Sequence, residues 1–336
     1  MTHIRTAFAV ALVVGGASTV AAQETLRFAS FEPQQALITA QILTPWAAEV
    51  SAASNGTLNV QMFPGGTLGR DPAQQLQLVE DGVVDIAWII PGYMPGRFQQ
   101  GTVTELPFLV TDSAAGSYAT WQMVEQGLFT GDYEKFKMIG VTVSPTNFVA
   151  ATQEIVEPSD MAGINFRAPG PTLLAAIEAL GAVPVGGITG PGAAEAMSRG
   201  LIAGTSSQWG AIETFRIDEV ATHYNTIPMG ATPMLVVMNL ARYEALPDEA
   251  RAAIDALSGA VFSERFGKTF DDANAVTRAR IEGEGKARIL DPDDELQARW
   301  QDAMSVATQQ WIAQNEGGQA IYDAFSAALQ DHPGSN

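Results

Sequence analysis

Leu58-Asn59-Val60-Gln61-Met62 alternates apolar with polar side chains and stops at Pro64-Gly65-Gly66. Further along, Val83-Val84-Asp85-Ile86-Ala87-Trp88-Ile89-Ile90 is apolar almost throughout. The first pattern is that of a half-buried strand, the second that of a strand buried on both faces. Between them Asp71 stands where a helix cap belongs, with Pro72 at the first helical position and Gly82 as the stop. Upstream, residues 26–30 alternate as a short strand. Residues 34–53 then carry Leu37, Ile42, Trp46 and Val50 at roughly helical spacing and end at Asn55-Gly56, a strong turn signal. The stretch therefore reads β-α-β-α-β, which argues for a parallel sheet with helices on its faces.

A second unit of the same kind follows. Residues 136–143, 147–152 and 163–166 read as strands, 172–180 as a helix ended by Gly181, 182–185 as a short strand, 193–198 as a helix and 205–208 as strand-like. Residues 234–239 form a strongly apolar strand. No proline occurs between Pro247 and Pro292, and Ile254, Leu257, Val261, Phe266 and Phe270 keep helical spacing, so a long helix is expected there, with helix continuing to residue 330. Two α/β units joined by more than one strand-like crossing outline a hinged two-lobed binding protein. They equally outline many two-domain enzymes.

Composition narrows the partners. The 336 residues include 37 acidic and 18 basic side chains, a formal charge of -19 with no Lys/Arg-rich run, which argues against nucleic-acid binding. With no cysteine there is no disulfide framework, thiolate zinc site, iron–sulfur cluster or cysteine nucleophile. The first residues read as a secretory leader: His3 and Arg5 precede an uncharged run from Ala7 to Ala17, and Val20-Ala21-Ala22 places cleavage after Ala22. A soluble product exported to a bacterial periplasm is expected.

Catalytic signatures are scarce. The histidines, His3, His223 and His332, build no metal spacing. There is no Gly-x-Ser-x-Gly elbow, and residues 186–192 lack the Lys-Ser/Thr ending of a phosphate loop. No cofactor and no metal are expected. The positive signal is Asn165-Phe166-Arg167-Ala168-Pro169-Gly170-Pro171, which puts Arg167 at a strand end just before a helix N-terminus. A guanidinium grips a carboxylate with two parallel hydrogen bonds, and free N-terminal amides add a favourable field. An ion pair with Asp160 is the structural alternative. Downstream, Thr205-Ser206-Ser207-Gln208-Trp209 brings hydroxyls, an amide and a large ring to another strand end, where Ser207 and Trp209 share a face if the stretch is extended. Trp209 then either lines a cleft or belongs to the core.

At these residues the chain resembles the substrate-binding proteins of TRAP transporters, the DctP-type family, across essentially the whole mature sequence. The ordered matches include Leu26-Arg27-Phe28-Ala29-Ser30, Phe63-Pro64-Gly65-Gly66-Thr67-Leu68-Gly69, Val79-Glu80-Asp81-Gly82 with Val83-Val84-Asp85-Ile86, and Tyr93-Met94-Pro95-Gly96-Arg97-Phe98. Glu105-Leu106-Pro107-Phe108, the run from Pro158 to Arg167, residues 200–204, and Met238-Asn239 with Leu246-Pro247 complete the series. The resemblance implies two Rossmann-like α/β lobes joined by a hinge, of the type II periplasmic-binding-protein kind, with a long helix across both. It divides the chain into a leader (1–22), lobe one (23–145 and 234–272), lobe two (146–233 and 273–330) and a tail (331–336). It implies a periplasmic receptor that hands a small organic acid to TRAP permease subunits in the membrane. Arg167 occupies the position of the family's carboxylate-clamping arginine, and Ser207 that of a common asparagine. Asn147 stands where many relatives carry a second arginine, which disfavours dicarboxylates and points to a monocarboxylate with a polar or aromatic body. The ligand-binding set expected is Arg167, Asn147, Ser207, Trp209, Tyr93, Glu32, Phe31, Trp88 and Met234. The rival readings are an exported two-domain α/β enzyme acting on a small carboxylate, and a ligand-sensing module of the same fold.

Overall fold

A computed structural model describes residues 23–333, so the leader expected over 1–22 lies outside the described residues. Two sheets organise the chain. In the first, β1 (Glu24–Ala29), β2 (Leu58–Phe63) and β3 (Ile86–Ile89) run parallel, and β10 (Ala231–Asn239) lies antiparallel between β3 and β4 (Phe136–Thr146), giving the order β2-β1-β3-β10-β4. The strand period of two sorts its side chains onto two covered faces. Leu26, Phe28, Val60, Ile86, Trp88 and Val236 enter one core, while Ala29, Ala87, Ile89, Leu235 and Val237 enter another. Trp46, from the Thr44–Ala53 helix, meets Phe28 and Phe262 edge-on at ring separations of 5.7 and 6.1 Å, and its indole N–H donates to the Leu257 carbonyl at 2.8 Å. Such edge-to-face pairs contribute about 0.5–1.5 kcal/mol beyond the area they bury.

The second sheet comprises β5 (Phe148–Ala151), β6 (Asn165–Arg167), β7 (Val183–Val185), β8 (Gly204–Ser207), β9 (His223–Asn225) and β11 (Arg288–Leu290), in the order β11-β9-β5-β8-β6-β7. The chain passes between the sheets at Asn147, which separates β4 from β5, and again through residues 226–230. The two crossings are stitched together: Asn147 N–H donates to the Gly230 carbonyl at 2.8 Å, and Met229 N–H to the Asn147 carbonyl at 2.9 Å.

Two long helices tie the halves from behind. In Ala260–Glu284, Asp271 accepts from the backbone N–H groups of Ser113 and Ala114, both at 2.9 Å, while Asn274 accepts from Gly210 N–H at 3.1 Å and Arg280 pairs with Asp218 at 2.9 Å. In Asp294–Gln314, Trp300 donates to the Val156 carbonyl and Trp311 to the Thr102 hydroxyl, at 2.9 and 2.8 Å.

The structure departs from the sequence reading in several places. The helix expected over 34–53 contains a π-turn, Thr39–Leu43, just ahead of Pro45. Proline lacks the N–H that an α-ladder would need there, and the wider turn is closed by Thr44, whose N–H and hydroxyl both reach the Thr39 carbonyl. The helix expected after Pro247 is two helices, Asp248–Ala256 and Ala260–Glu284. Gly259, at φ +71°, breaks it by donating its N–H to the Ile139 carbonyl, and Val261 consequently faces solvent. The strand expected over 83–90 shortens to β3, and β10 enters the expected parallel sheet antiparallel. Finally, β9 and β11 fall in stretches read as irregular and as helix; each has three residues, too few to show a period.

Candidate functional site

A cavity lies where the two sheets face each other. Its floor is polar and its walls are apolar. Ile38, Ile90, Met234, Phe215 and Phe270 contribute the walls, Ile90 just beyond the carboxyl end of β3.

Arg167 ends β6 and is 3% exposed. Its Nε donates to the Ile188 carbonyl at 2.8 Å and Nη1 to the Thr205 hydroxyl at 3.3 Å, across the β6–β8 register that sets Arg167 opposite Thr205. Nη2 lies 3.5 Å from the Tyr93 hydroxyl. Among the described residues no carboxylate forms an ion pair with it. Asp160 instead accepts from the backbone N–H groups of Val156 and Glu157, at 2.9 and 2.8 Å, in a capping box. The guanidinium is thus held by neutral acceptors, its charge unbalanced inside the protein.

The Pro171–Ala179 helix behaves differently from the sequence expectation. Its N-terminal field is already occupied by Glu105, a fully buried side chain whose Oε2 accepts from Thr172 N–H at 3.2 Å. Burial pushes this carboxyl up to about 8, against the pull of the Thr172 and Leu173 amides. The group that meets that helix end is therefore the protein's own carboxyl. Gly170 makes room for it, since a Cβ there would lie 1.9 Å from Glu105 Oε1.

The other expected residues divide. Tyr93 lines the cavity and couples the two halves, its hydroxyl accepting from Gly190 N–H at 2.8 Å as well as meeting Arg167. Asn147 also lines it, but both hydrogens of its amide are spent on the Gly230 carbonyl (2.9 Å) and the Thr232 hydroxyl (3.0 Å). Only its oxygen remains, so it presents an acceptor where a second arginine would present a cation. Ser207 and Met234 line the wall. Glu32 and Trp88 do so as well, and each carries a buried polar atom, Glu32 Oε2 and Trp88 Nε1, with no partner among the described residues. Burial with no neighbouring cation pushes the Glu32 carboxyl up to about 8.

Two residues of the expected set lie off the cavity lining. Trp209 does not continue β8 beside Ser207. Gln208 caps a new helix, Trp209–Thr214, by accepting from Ala211 N–H at 3.1 Å, and this turn swings Trp209 into the core against Phe148 and Tyr224, at ring separations of 4.5 and 5.1 Å. Phe31 stacks behind Trp88 (4.4 Å, 16° between planes) and supports the cavity wall without lining it. The expected set left out Ser206, Gln208, Thr232, Phe215 and Phe270, which also line the cavity. Phe270 carried a signal only for a helix face, and Phe215 lies in a turn that no periodicity marks. Among the described residues no group of three or more acidic or histidine side chains is arranged to hold a metal, and no helix is long and apolar enough to cross a membrane.

Residues 28–315 match the bacterial extracellular solute-binding proteins of family 7, DctP. Among solved structures, the chain is 28% identical to a TRAP solute-binding protein of a marine metagenome, specific for aromatic acid ligands and crystallised with 3-hydroxybenzoate. The match has a TM-score of 0.87 and covers 93% of this chain and 99% of that one. It is 26% identical to a TRAP solute-binding protein from Rhodoferax ferrireducens T118 in complex with benzoate, with a TM-score of 0.86 and coverage of 92% and 98%. A curated relative, the outer membrane transporter protein TsaT of Comamonas testosteroni, is 25% identical over 321 residues, 91% of this chain and 92% of that protein.

Proposed function

The chain belongs to the family 7 bacterial extracellular solute-binding proteins, the DctP-type receptors of TRAP transporters, and on that premise we propose that it captures an aromatic monocarboxylate between its two lobes through Arg167 and delivers it to a TRAP permease. One observation carries this reading: a guanidinium 3% exposed, with no ion-pair partner among the described residues, at the edge of an apolar cavity. A carboxylate is the group that balances it with paired, charge-assisted hydrogen bonds. The apolar wall, with Phe215 and Phe270, favours a planar hydrocarbon body, and the solved relatives bound to 3-hydroxybenzoate and to benzoate support the same class.

The Asn147 amide, with its hydrogens already engaged, disfavours a second carboxylate at that wall. The role is binding and release without turnover. Lobe closure follows because a ligand touching both lobes finds all its contacts only when they meet, so it shifts the population toward the closed form. Calorimetric titration with benzoate, mandelate and succinate tests the class: the aromatic monocarboxylates should bind and succinate should not. Tight binding of succinate with no response to benzoate would overturn the reading.

A further inference from the structure

The cavity holds more unpartnered polarity than a simple aromatic acid satisfies. Besides Arg167, three of its lining side chains carry a buried polar atom without a partner among the described residues: Glu32 Oε2, Trp88 Nε1 and Ser206 Oγ. Ser206 belongs to the sheet of Arg167, on the strand paired with β6. Glu32 and Trp88 belong to the opposite lobe. Glu32 follows β1, Trp88 lies in β3, and these strands are paired, with Ala29 opposite Ala87. Both residues therefore stand at neighbouring strand ends. The cavity is polarised, with a cation on one lobe and an acceptor–donor couple on the other.

Resting on the aromatic-monocarboxylate reading above, we infer that Glu32 and Trp88 form a second recognition point that selects a hydroxyl group on the ligand body, away from its carboxylate. The chemistry of the two atoms discriminates among substituents. A carboxyl group keeps an accepting oxygen whether or not it holds a proton, and an indole N–H only donates. A hydroxyl does both, giving its proton to Glu32 and taking the Trp88 N–H. An ammonium leaves the indole unmet, a second carboxylate has no proton of its own to give Glu32, and a bare ring leaves both atoms without partners. A buried polar group left unpaired on binding is costly, and sites built to bond a hydroxyl discriminate strongly against analogues that lack it. The raised Glu32 carboxyl fits the same picture, since no protein cation or donor reaches its Oε2 among the described residues.

The test is a ratio, which cancels whatever a substitution does to ring and carboxylate binding in general. Dissociation constants for benzoate, for 2-, 3- and 4-hydroxybenzoate and for the matching methoxybenzoates are measured by calorimetry on the full mature chain. At least one hydroxybenzoate should bind about tenfold or more tightly than benzoate, and the methoxy analogue at that position should lose the gain. In Glu32→Leu the preference should fall to within about twofold. Trp88→Phe, which keeps an aromatic ring against Phe31 but removes the N–H donor together with part of the indole, should reduce it several-fold. Benzoate binding with no hydroxyl preference, or a preference that survives both substitutions, overturns this inference and leaves the aromatic-acid reading standing. If none of these acids binds, that reading falls, and this one with it.

Discussion

Gly92 offers a way to separate closure of the lobes from contact with the ligand. It sits in the turn after β3, and a Cβ placed on it would lie 2.4 Å from the Pro169 carbonyl oxygen and 2.8 Å from Gly170 Cα, both on the opposite lobe. Ordinary contact for a Cβ begins near 3.4 Å, so Gly92→Ala obliges the facing backbones to retreat by about 1 Å. The neighbours are backbone atoms, which cannot swing aside as a side-chain tip does. The backbone at Gly92 is not in the left-handed region, so alanine itself is unstrained and the cost falls on the close approach to Pro169 and Gly170. Overpacking of this kind typically costs about 1–3 kcal/mol, which corresponds to binding weakened roughly 5- to 150-fold. The assay is calorimetric titration with the tightest aromatic acid, paired with small-angle scattering with and without ligand. Affinity should fall, and the ligand-induced decrease in radius of gyration should shrink, while the unliganded protein melts as before. Unchanged affinity and full compaction would refute the reasoning, because the lobes would then bind ligand without this close approach.

Arg167→Ala removes the charge that faces the cavity, and the loss of aromatic-acid binding should be about 2–5 kcal/mol by calorimetry, the usual cost of truncating a buried, charge-paired partner. Thermal stability without ligand should fall as pH rises from 5 to 8. Glu32 and Glu105, both raised to about 8 by burial, keep their protons in the folded state at pH values where the unfolded chain has released them. Their contribution is complete below about pH 4.5 and is lost as pH rises toward 8, and Glu105→Gln should flatten the slope of a denaturant-melt series by up to about 1.4 kcal/mol per pH unit within that window. A series independent of pH between 5 and 8 would contradict the burial of both carboxyls. Trp209→Phe should lower stability by about 1–2 kcal/mol while leaving the ratio of benzoate to succinate affinity unchanged, since Trp209 packs on Phe148 and Tyr224 away from the cavity.

The sequence made the scaffold legible where the patterns were long or strongly punctuated. β2 alternates from Leu58 to Met62, β10 carries an unbroken apolar run from Pro233 to Met238, and Asp71-Pro72 marks a helix cap without ambiguity. It was silent where three residues carry a strand, as in β9 and β11, because pairing there depends on a neighbour distant in the chain. Arg167 was legible because a strand end followed by Gly-Pro is a local signal. Trp209 misled because the strand pattern of Thr205–Ser207 has no feature announcing that Gln208 turns its side chain back to cap a helix. The role of Glu105 was out of reach for another reason: its partner amides are those of Thr172 and Leu173, joined to it only by the fold.

The two short crossings between the sheets, at Asn147 and through residues 226–230, lie side by side, and Asn147 bonds to both Met229 and Gly230. Two adjacent pivots define a line. Rotation about that line twists the backbone at each pivot while leaving the bonds between them intact, whereas sliding one sheet past the other would tear them. The long helices from Ala260 and from Asp294, each fastened to both halves, must then flex in step with any rotation, as leaf springs do across a door. The work of opening the two halves then depends on the stiffness of those helices as well as on the grip of the cavity.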